Sequence, residues 1–312
     1  MSEFHHISVL LQECLDGLNI KPDGIYVDGT LGGAGHSRCI AQRLTTGRLI
    51  GIDRDPVALQ AASERLEPYK DRVTLVHSNF CEMKEVLREL DIPGVDGILL
   101  DLGVSSPQLD DGQRGFSYMA DAPLDMRMNN SDILDAYAVV NTWSQEELKR
   151  ILYTYGEERY APQIAAAICR KREEKPISTT AQLVDIIRSA MPPMALREKQ
   201  HPAKRSFQAI RIAVNDELGA VEKIMKDAAE LLNPGGRLAI ITFHSLEDRI
   251  VKLGMNEWAK GCTCPPNFPV CVCGKKPLVK LINRKPITAA EAELTENPRS
   301  RSAKLRVCEK IG

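Results

Sequence analysis

No run in the 312-residue sequence is apolar for long enough to span a bilayer, and no secretory leader is recognisable. The protein is therefore expected to work in the cytoplasm, without a membrane partner. Net charge is missing too. Forty-one Lys and Arg against 42 Asp and Glu leave -1, so the overall balance selects neither an anionic nor a cationic partner. Nine cysteines are an odd number, which fits a reducing compartment better than a disulfide framework. The Gly-x-Gly-x-x-Gly fingerprint of dinucleotide binders is also absent in intact form. The length allows one large α/β domain with an insertion, or two modest domains.

What is present is a glycine-rich turn, Asp28-Gly29-Thr30-Leu31-Gly32-Gly33-Ala34-Gly35-His36, set between a strand-like lead-in and a helical pattern from Ser37 to Leu44. Glycines there let a ligand lie against the backbone. A second apolar run, Arg48 to Ile52, ends in Asp53, roughly 20 residues on, the spacing at which an acid meets the ribose hydroxyls of an adenosine cofactor. The turn thus narrows the cofactor to a dinucleotide or S-adenosylmethionine. Asp28 at its opening would repel a pyrophosphate and suit a sulfonium or amino group, which favours S-adenosylmethionine and makes an NAD-dependent oxidoreductase the weakest reading. A tight turn without any ligand is the plainer alternative.

Strands and helices alternate through Val73–His77, a helix over Glu82–Leu90, and the apolar run Gly97-Ile98-Leu99-Leu100-Asp101. That alternation predicts an α/β fold with a doubly wound, Rossmann-like parallel sheet. It lapses from Gln108 to about Val214, where helices are expected near Gln145–Leu152, Pro162–Arg172 and Thr180–Ser189. It resumes with a helix over Asp216–Leu232, a turn at Asn233-Pro234-Gly235-Gly236, and a strand from Arg237. Residues 1–108 and 215–312 are therefore expected to form the cofactor domain, and 109–214 a mostly helical inserted domain that recognises substrate. An insertion leaving the carboxyl end of a strand is expected to roof the site. Basic clusters at Arg170-Lys171-Arg172, Arg197 to Arg211 and Lys275 to Arg306 read singly as solvated surface and together as a phosphate-binding footprint.

Several segments resemble one family, the bacterial methyltransferases (RsmH/MraW) that act on the N4 amine of a cytidine in 16S ribosomal RNA. They are His6 to Leu11, Asp28 to Ser37, Ile52-Asp53-Arg54-Asp55, Asp101 to Asp110, Gly115-Phe116-Ser117, Tyr155-Gly156-Glu157-Glu158, His201-Pro202-Ala203 with Phe207 to Arg211, Phe243 to Asp248, and Glu296 to Ser302. The resemblance spans nearly the whole chain and implies a class I methyltransferase sheet with a helical insert. It implies S-adenosylmethionine as cofactor and the rRNA of the small ribosomal subunit, not DNA, as substrate. Cofactor positions implied here are Gly33, Ala34, Gly35 and His36 in the turn, then Asp53, Phe80, Asp101 and Gln108. Phe80 suits a flat adenine and Asp101 a cofactor ammonium; Phe80 alternatively reads as a core aromatic, and His36 as a helix-start side chain.

Cytosine's exocyclic amine is a weak nucleophile, so the site must align it and offer acceptors to its N–H groups. Amino-methyltransferases of bases usually carry an Asn/Asp/Ser-Pro-Pro-aromatic segment after the fourth strand. This sequence has Ser105-Ser106-Pro107-Gln108 instead, with one proline and no aromatic. Ser106 and Asp101 are the catalytic candidates; an ordinary serine-proline turn is the alternative. The base must also leave its stack, and Arg205, Arg211, Arg299 and Arg301 are candidates to hold flanking phosphates. Cys262, Cys264, Cys271 and Cys273 form a Cys-x-Cys pair of pairs. Their one-residue gaps are shorter than the usual zinc-ligand spacing, so no metal is expected. Competing functions are methylation of another base or of DNA, and a non-catalytic RNA-binding assembly factor.

Overall fold

The computed structural model describes residues 8–262, 264, 270 and 273–312, with the side chains of 106 and 107 outside the description. His6, Ile7 and Cys271, together with the Ser106 side chain, therefore lie outside the described residues.

Two units divide the chain: Met1–Gly103 with Leu218–Gly312, and Val104–Glu217. The sequence placed the divisions after 108 and after 214; the chain leaves the first unit at Gly103 and re-enters it at Leu218.

In the first unit, α1 (Leu11–Leu18) precedes β1 (Ile25–Asp28), and α2 (Gly35–Arg43), β2 (Arg48–Asp53), α3 (Pro56–Leu66), β3 (Val73–His77), α4 (Met83–Glu89) and β4 (Val95–Asp101) follow. The second unit holds α5 (Ser106–Asp110), α6 (Ala136–Thr142), α7 (Gln145–Thr154), α8 (Ala161–Glu174), α9 (Thr180–Ala190) and α10 (Lys204–Asn215). After it come α11 (Glu217–Leu231), β5 (Leu232–Thr242), α12 (Ser245–Ala259), β6 (Val279–Leu281), α13 (Glu291–Glu296) and β7 (Lys304–Lys310). Local chemistry sets many of these boundaries. Asp55 caps α3 by accepting from the Val57 N–H, with Pro56 in the first turn, where a missing N–H costs nothing. Capping boxes of Ser144 with Glu147 and Thr179 with Gln182 start α7 and α9.

The sheet order is β3-β2-β1-β4-β5-β7-β6. The first five strands are parallel, whereas β7 runs antiparallel to both β5 and β6. The doubly wound reading holds, with an antiparallel edge that the two late apolar runs did not reveal. The expected turn at Asn233–Gly236 lies within β5: Val95 pairs Leu232 and Gly97 pairs Arg237, so the extra residues bulge out of the ladder.

Alternating residues of the strands feed two cores. Val27, Ile98 and Leu100 pack with α4, α11 and α12, while Tyr26, Leu99 and Ala239 pack with α1, α2 and α3. Both faces being covered explains why Gly97-Ile98-Leu99-Leu100 of β4 read as an apolar run. The second unit has its own core from α6 to α10, including Val139, Leu148, Ile151, Ile164, Ile187 and Phe207. Among the described residues, no helix is long and apolar enough to cross a membrane.

Candidate functional site

Strand order reverses direction between β1 and β4, and the carboxyl ends of such neighbours form the crevice where ligands of doubly wound sheets lie. Three acids stand at those ends: Asp28 on β1, Asp53 on β2 and Asp101 on β4. Each follows an apolar run at the carboxyl end of its strand, yet each meets a different environment.

Asp28 is 1% exposed, with one oxygen accepting from Ser37 Oγ at 2.7 Å and the other from the Thr30 N–H at 3.2 Å. Burial pushes its carboxyl up to about 6, a rise that these two bonds oppose. The acid expected to greet a cation at the mouth therefore locks the turn from within. Thr30 extends the lock, its hydroxyl accepting from the Asp101 N–H at 2.6 Å.

Within the turn, Gly32 and Ala34 take left-handed conformations (φ 47° and 56°). For Ala34 that conformation is strained, of the kind that concentrates at ligand sites. At Gly33 an added Cβ would meet only Arg65 Nη1, at 3.7 Å, so this backbone faces open space that a ligand can fill. Gly35 is different: a Cβ there would strike Ser8 Oγ, which gives this glycine a packing reason of its own.

Asp53 uses both oxygens on backbone, Oδ2 accepting from Gly32 at 2.7 Å and Oδ1 from Asp55 at 2.8 Å. It thereby ties the loop after β1 to the loop after β2. The Arg54 N–H adds to these bonds, and acceptor capacity still remains on the carboxylate for a hydroxyl. Burial raises its carboxyl, and the backbone bonds oppose the rise. Phe80 opens the 3₁₀ turn after β3 and is half-buried; its Cβ would lie 3.0 Å from a Cβ on Gly29, which brings it beside the turn.

Asp101 is the unsatisfied member. Its Oδ1 is buried with no hydrogen-bond partner among the described residues. Oδ2 stands 3.9 Å from His36 Nδ1, too far for a hydrogen bond, and 26% of the side chain stays open. Loss of solvent, then the negative charges of Asp28 and Glu247, push the carboxyl up to about 8. His36 is buried, and its Nε2–H donates to the Val9 carbonyl at 3.0 Å, so the ring is held by the chain before α1. A buried carboxyl oxygen with no partner among the described residues, on a strand tied to the glycine-rich turn through Thr30, fits a cationic amine, which supplies both the missing charge and the missing donors.

The turn residues, Asp53, Phe80 and Asp101 thus belong to one unit and gather at one end of its sheet. Gln108 and Ser106 belong to the other unit. Gln108 is buried and answers Ser105 reciprocally at the start of α5: its Oε1 accepts from the Ser105 N–H at 3.1 Å, and its own N–H donates to Ser105 Oγ at 3.4 Å. Arg211, expected on phosphate, makes a two-pronged ion pair with Glu217, both bonds at 2.8 Å, and Glu217 is 7% exposed. That geometry commits the guanidinium to the fold. Arg299 and Arg301 are exposed.

Sequence reasoning assigned no role to Glu247. It is 1% exposed and caps α12, its Oε2 accepting from the Phe243 and His244 N–H groups, and its charge acts on Asp101. The signal was a capping residue followed three places on by Glu in His244-Ser245-Leu246-Glu247, with histidine where Ser or Thr usually stands.

Residues 3–311 match the model of the MraW methylase family. The chain is 58% identical to the ribosomal RNA small subunit methyltransferase H of Brevibacillus brevis, covering 99% of this chain and 98% of that one. The Clostridium botulinum protein of that name is 59% identical (99% and 100% covered), and the Symbiobacterium thermophilum protein 56% (99% and 97%). An rRNA methylase structure from Streptococcus thermophilus aligns over 98% of this chain and 99% of its own at 12% identity and a TM-score of 0.42. With a family match running nearly from end to end and relatives above half identity over the same span, the chain belongs to the MraW methylase family.

Proposed function

We propose that the protein transfers a methyl group from S-adenosylmethionine to the exocyclic N4 amine of a cytidine in the 16S rRNA of the small ribosomal subunit. The relatives' shared name supports the substrate class. The observation that carries the chemistry is the unpartnered, buried Oδ1 of Asp101, a residue whose N–H donates to Thr30 of the glycine-rich turn.

In this reading Asp101 holds the ammonium of the methionine portion, and Gly33, Ala34 and Gly35 offer the backbone against which that portion lies. His36 positions Asp101 from behind, anchored on Val9. Asp53 accepts the ribose hydroxyls with the lone pairs its backbone partners leave over, and Phe80 covers the adenine. When bound, the cofactor supplies a methyl made electrophilic by its sulfonium. The protein's task is then to hold a delocalised amine in line with that methyl and to offer a hydrogen-bond acceptor to its N–H groups as the nitrogen becomes tetrahedral, the proton shed on methylation passing to solvent. Ser106 is the acceptor assigned here, and Gln108 fixes the turn that carries it. The helical unit, with exposed Arg170 and half-buried Arg205, recognises the RNA. Ribosomal RNA as substrate puts the reaction in the cytoplasm.

The test is transfer of a labelled methyl to purified small ribosomal subunits, followed by digestion and identification of the nucleoside. N4-methylated cytidine is expected; label on another base, or on DNA oligonucleotides alone, would replace this substrate, and a chain that binds no S-adenosylmethionine would act only as an RNA-binding assembly factor. Within that assay, Ser106→Ala should slow single-turnover transfer by about 10–10²-fold with cofactor affinity nearly unchanged. An undiminished single-turnover rate would move the acceptor role to backbone carbonyls.

A further inference from the structure

The cysteines near the end of the chain take no part in the site above. We propose that Cys262, Cys264 and Cys273 hold a thiophilic divalent cation, Zn²⁺, which closes the tip of the loop between α12 and β6.

The three Sγ atoms lie within 4.8 Å of one another. Cys262 and Cys273 bring theirs to 3.7 Å. Four thiolates at the Zn–S distance of about 2.3 Å stand at the corners of a tetrahedron with edges of about 3.8 Å, so this pair already has the spacing the ion demands. The one-residue gap between Cys262 and Cys264 had argued against chelation, and the structure shows how it is accommodated. The backbone N–H of Cys264 donates to Cys262 Sγ at 3.4 Å, and the two sulfurs lie within 4.8 Å of each other.

The donor set selects the ion. Three sulfurs with no carboxylate among them are soft ligands, which prefer Zn²⁺ to Mg²⁺ or Ca²⁺. Lys260 and Lys276 lie within a few residues of these cysteines in sequence. Metal binding displaces one proton from each thiol to the buffer, and a further donor takes the fourth tetrahedral position.

The loop is already fastened at its base. The Leu278 N–H donates to the Trp258 carbonyl at 2.8 Å, and Lys275 pairs with Glu257. A cation at the three cysteines removes conformational freedom from a loop whose ends are fixed, and it presents the flanking lysines on a defined turn.

The experiment uses the whole chain, fully reduced, loaded with Zn²⁺ alone and desalted, with metal counted by mass spectrometry. About one zinc per chain is expected, falling to below roughly a tenth in the Cys262→Ser, Cys264→Ser, Cys273→Ser triple variant, because each lost thiolate removes a ligand. Loading with Co²⁺ alone should give the intense thiolate-to-metal absorption and tetrahedral visible bands in the wild type only. Circular dichroism and thermal unfolding of the triple variant separate a lost site from a lost fold. A reduced wild-type chain that retains no zinc overturns the proposal, as does a triple variant that retains as much as the wild type. Cobalt bands without sulfur charge transfer overturn it as well.

Discussion

Asp28 and Asp101 end adjacent parallel strands, β1 and β4, and both are pushed upward by burial, to about 6 and about 8. Their surroundings differ in one respect. Asp28 has a hydroxyl and an amide on its two oxygens, while Asp101 keeps a buried oxygen with no partner among the described residues. A satisfied acid builds the turn. An unsatisfied one destabilises the empty protein and is relieved only by something that brings positive charge and donors. The difference between the two carboxyls separates scaffold from site more sharply than their shared position at the strand ends.

The largest test removes that difference. Asp101→Asn should weaken S-adenosylmethionine binding by at least about 10²-fold, since a buried ammonium loses its counter-charge, while raising the melting temperature of the cofactor-free protein at pH 8. The sign follows from linkage. A carboxyl raised to about 8 binds more protons folded than unfolded. Its contribution to stability is therefore full below the unfolded carboxylate range, near pH 4, and is lost as pH climbs through about 8. Cofactor binding at pH 7 should then release close to one proton in the wild type and none in Asp101→Asn, read by calorimetry in buffers of different ionisation enthalpy. Wild-type binding without proton release would mean that Asp101 is already ionised and that the contrast with Asp28 is false.

Asp53 lies between the two cases, satisfied by backbone yet with lone pairs left over. Asp53→Ala should cost about 10–10²-fold in cofactor affinity, the worth of a charge-assisted bond of roughly 1.5–3 kcal/mol. It should also lower the melting temperature, because Gly32 and Asp55 lose their acceptor. Lost affinity with unchanged stability would show that the two loops hold together without it.

The sequence carried the site's outline because the outline is local. A glycine turn after a strand, an acid roughly 20 residues on, and an apolar run closed by Asp101 are each readable from spacing and type. The partners of these residues were not readable, because partnership is a property of the packed fold. Asp28 and Ser37 are nine residues apart and meet only because α2 starts immediately after the turn. Arg211 looked like a phosphate ligand until α10 and α11 brought Glu217 against it. The antiparallel β7 escaped because an apolar run carries no sign of direction. The helices α6 and α10 escaped for another reason: α6 spans only seven residues, and α10 lies in a stretch whose basic residues read as a footprint rather than as one face of an amphipathic helix.

A smaller effect is expected on the scaffold side. Ser37 is fully buried, and Ser37→Ala strips Asp28 of its hydroxyl donor. An unsatisfied buried acceptor costs about 1–3 kcal/mol, so the melting temperature should fall by several degrees and Asp28 should titrate higher than in the wild type. Cofactor affinity should change far less than in Asp101→Asn. A large loss of affinity with no loss of stability would reverse the roles given to the two acids.

The smallest effect belongs to Glu247, which reaches Asp101 only through its charge. Glu247→Gln keeps a carbonyl oxygen for the Phe243 and His244 N–H groups, so the cap on α12 should survive in weakened form. What is lost is one of the two negative charges that raise Asp101, and the weaker of them. Asp101 should then ionise more readily, its carboxyl falling below about 8 while remaining well above an ordinary carboxylate, because burial, the dominant cause, is untouched. At pH 7 fewer protons should leave on cofactor binding, and affinity should improve by less than about threefold, since less work is needed to charge the site. Measured beside Asp101→Asn, this variant grades the contrast: it moves Asp101 part of the way toward the condition of Asp28 without giving it a partner. Proton release equal to that of the wild type would confine Glu247 to capping its helix and leave burial and Asp28 as the only groups that hold Asp101 neutral.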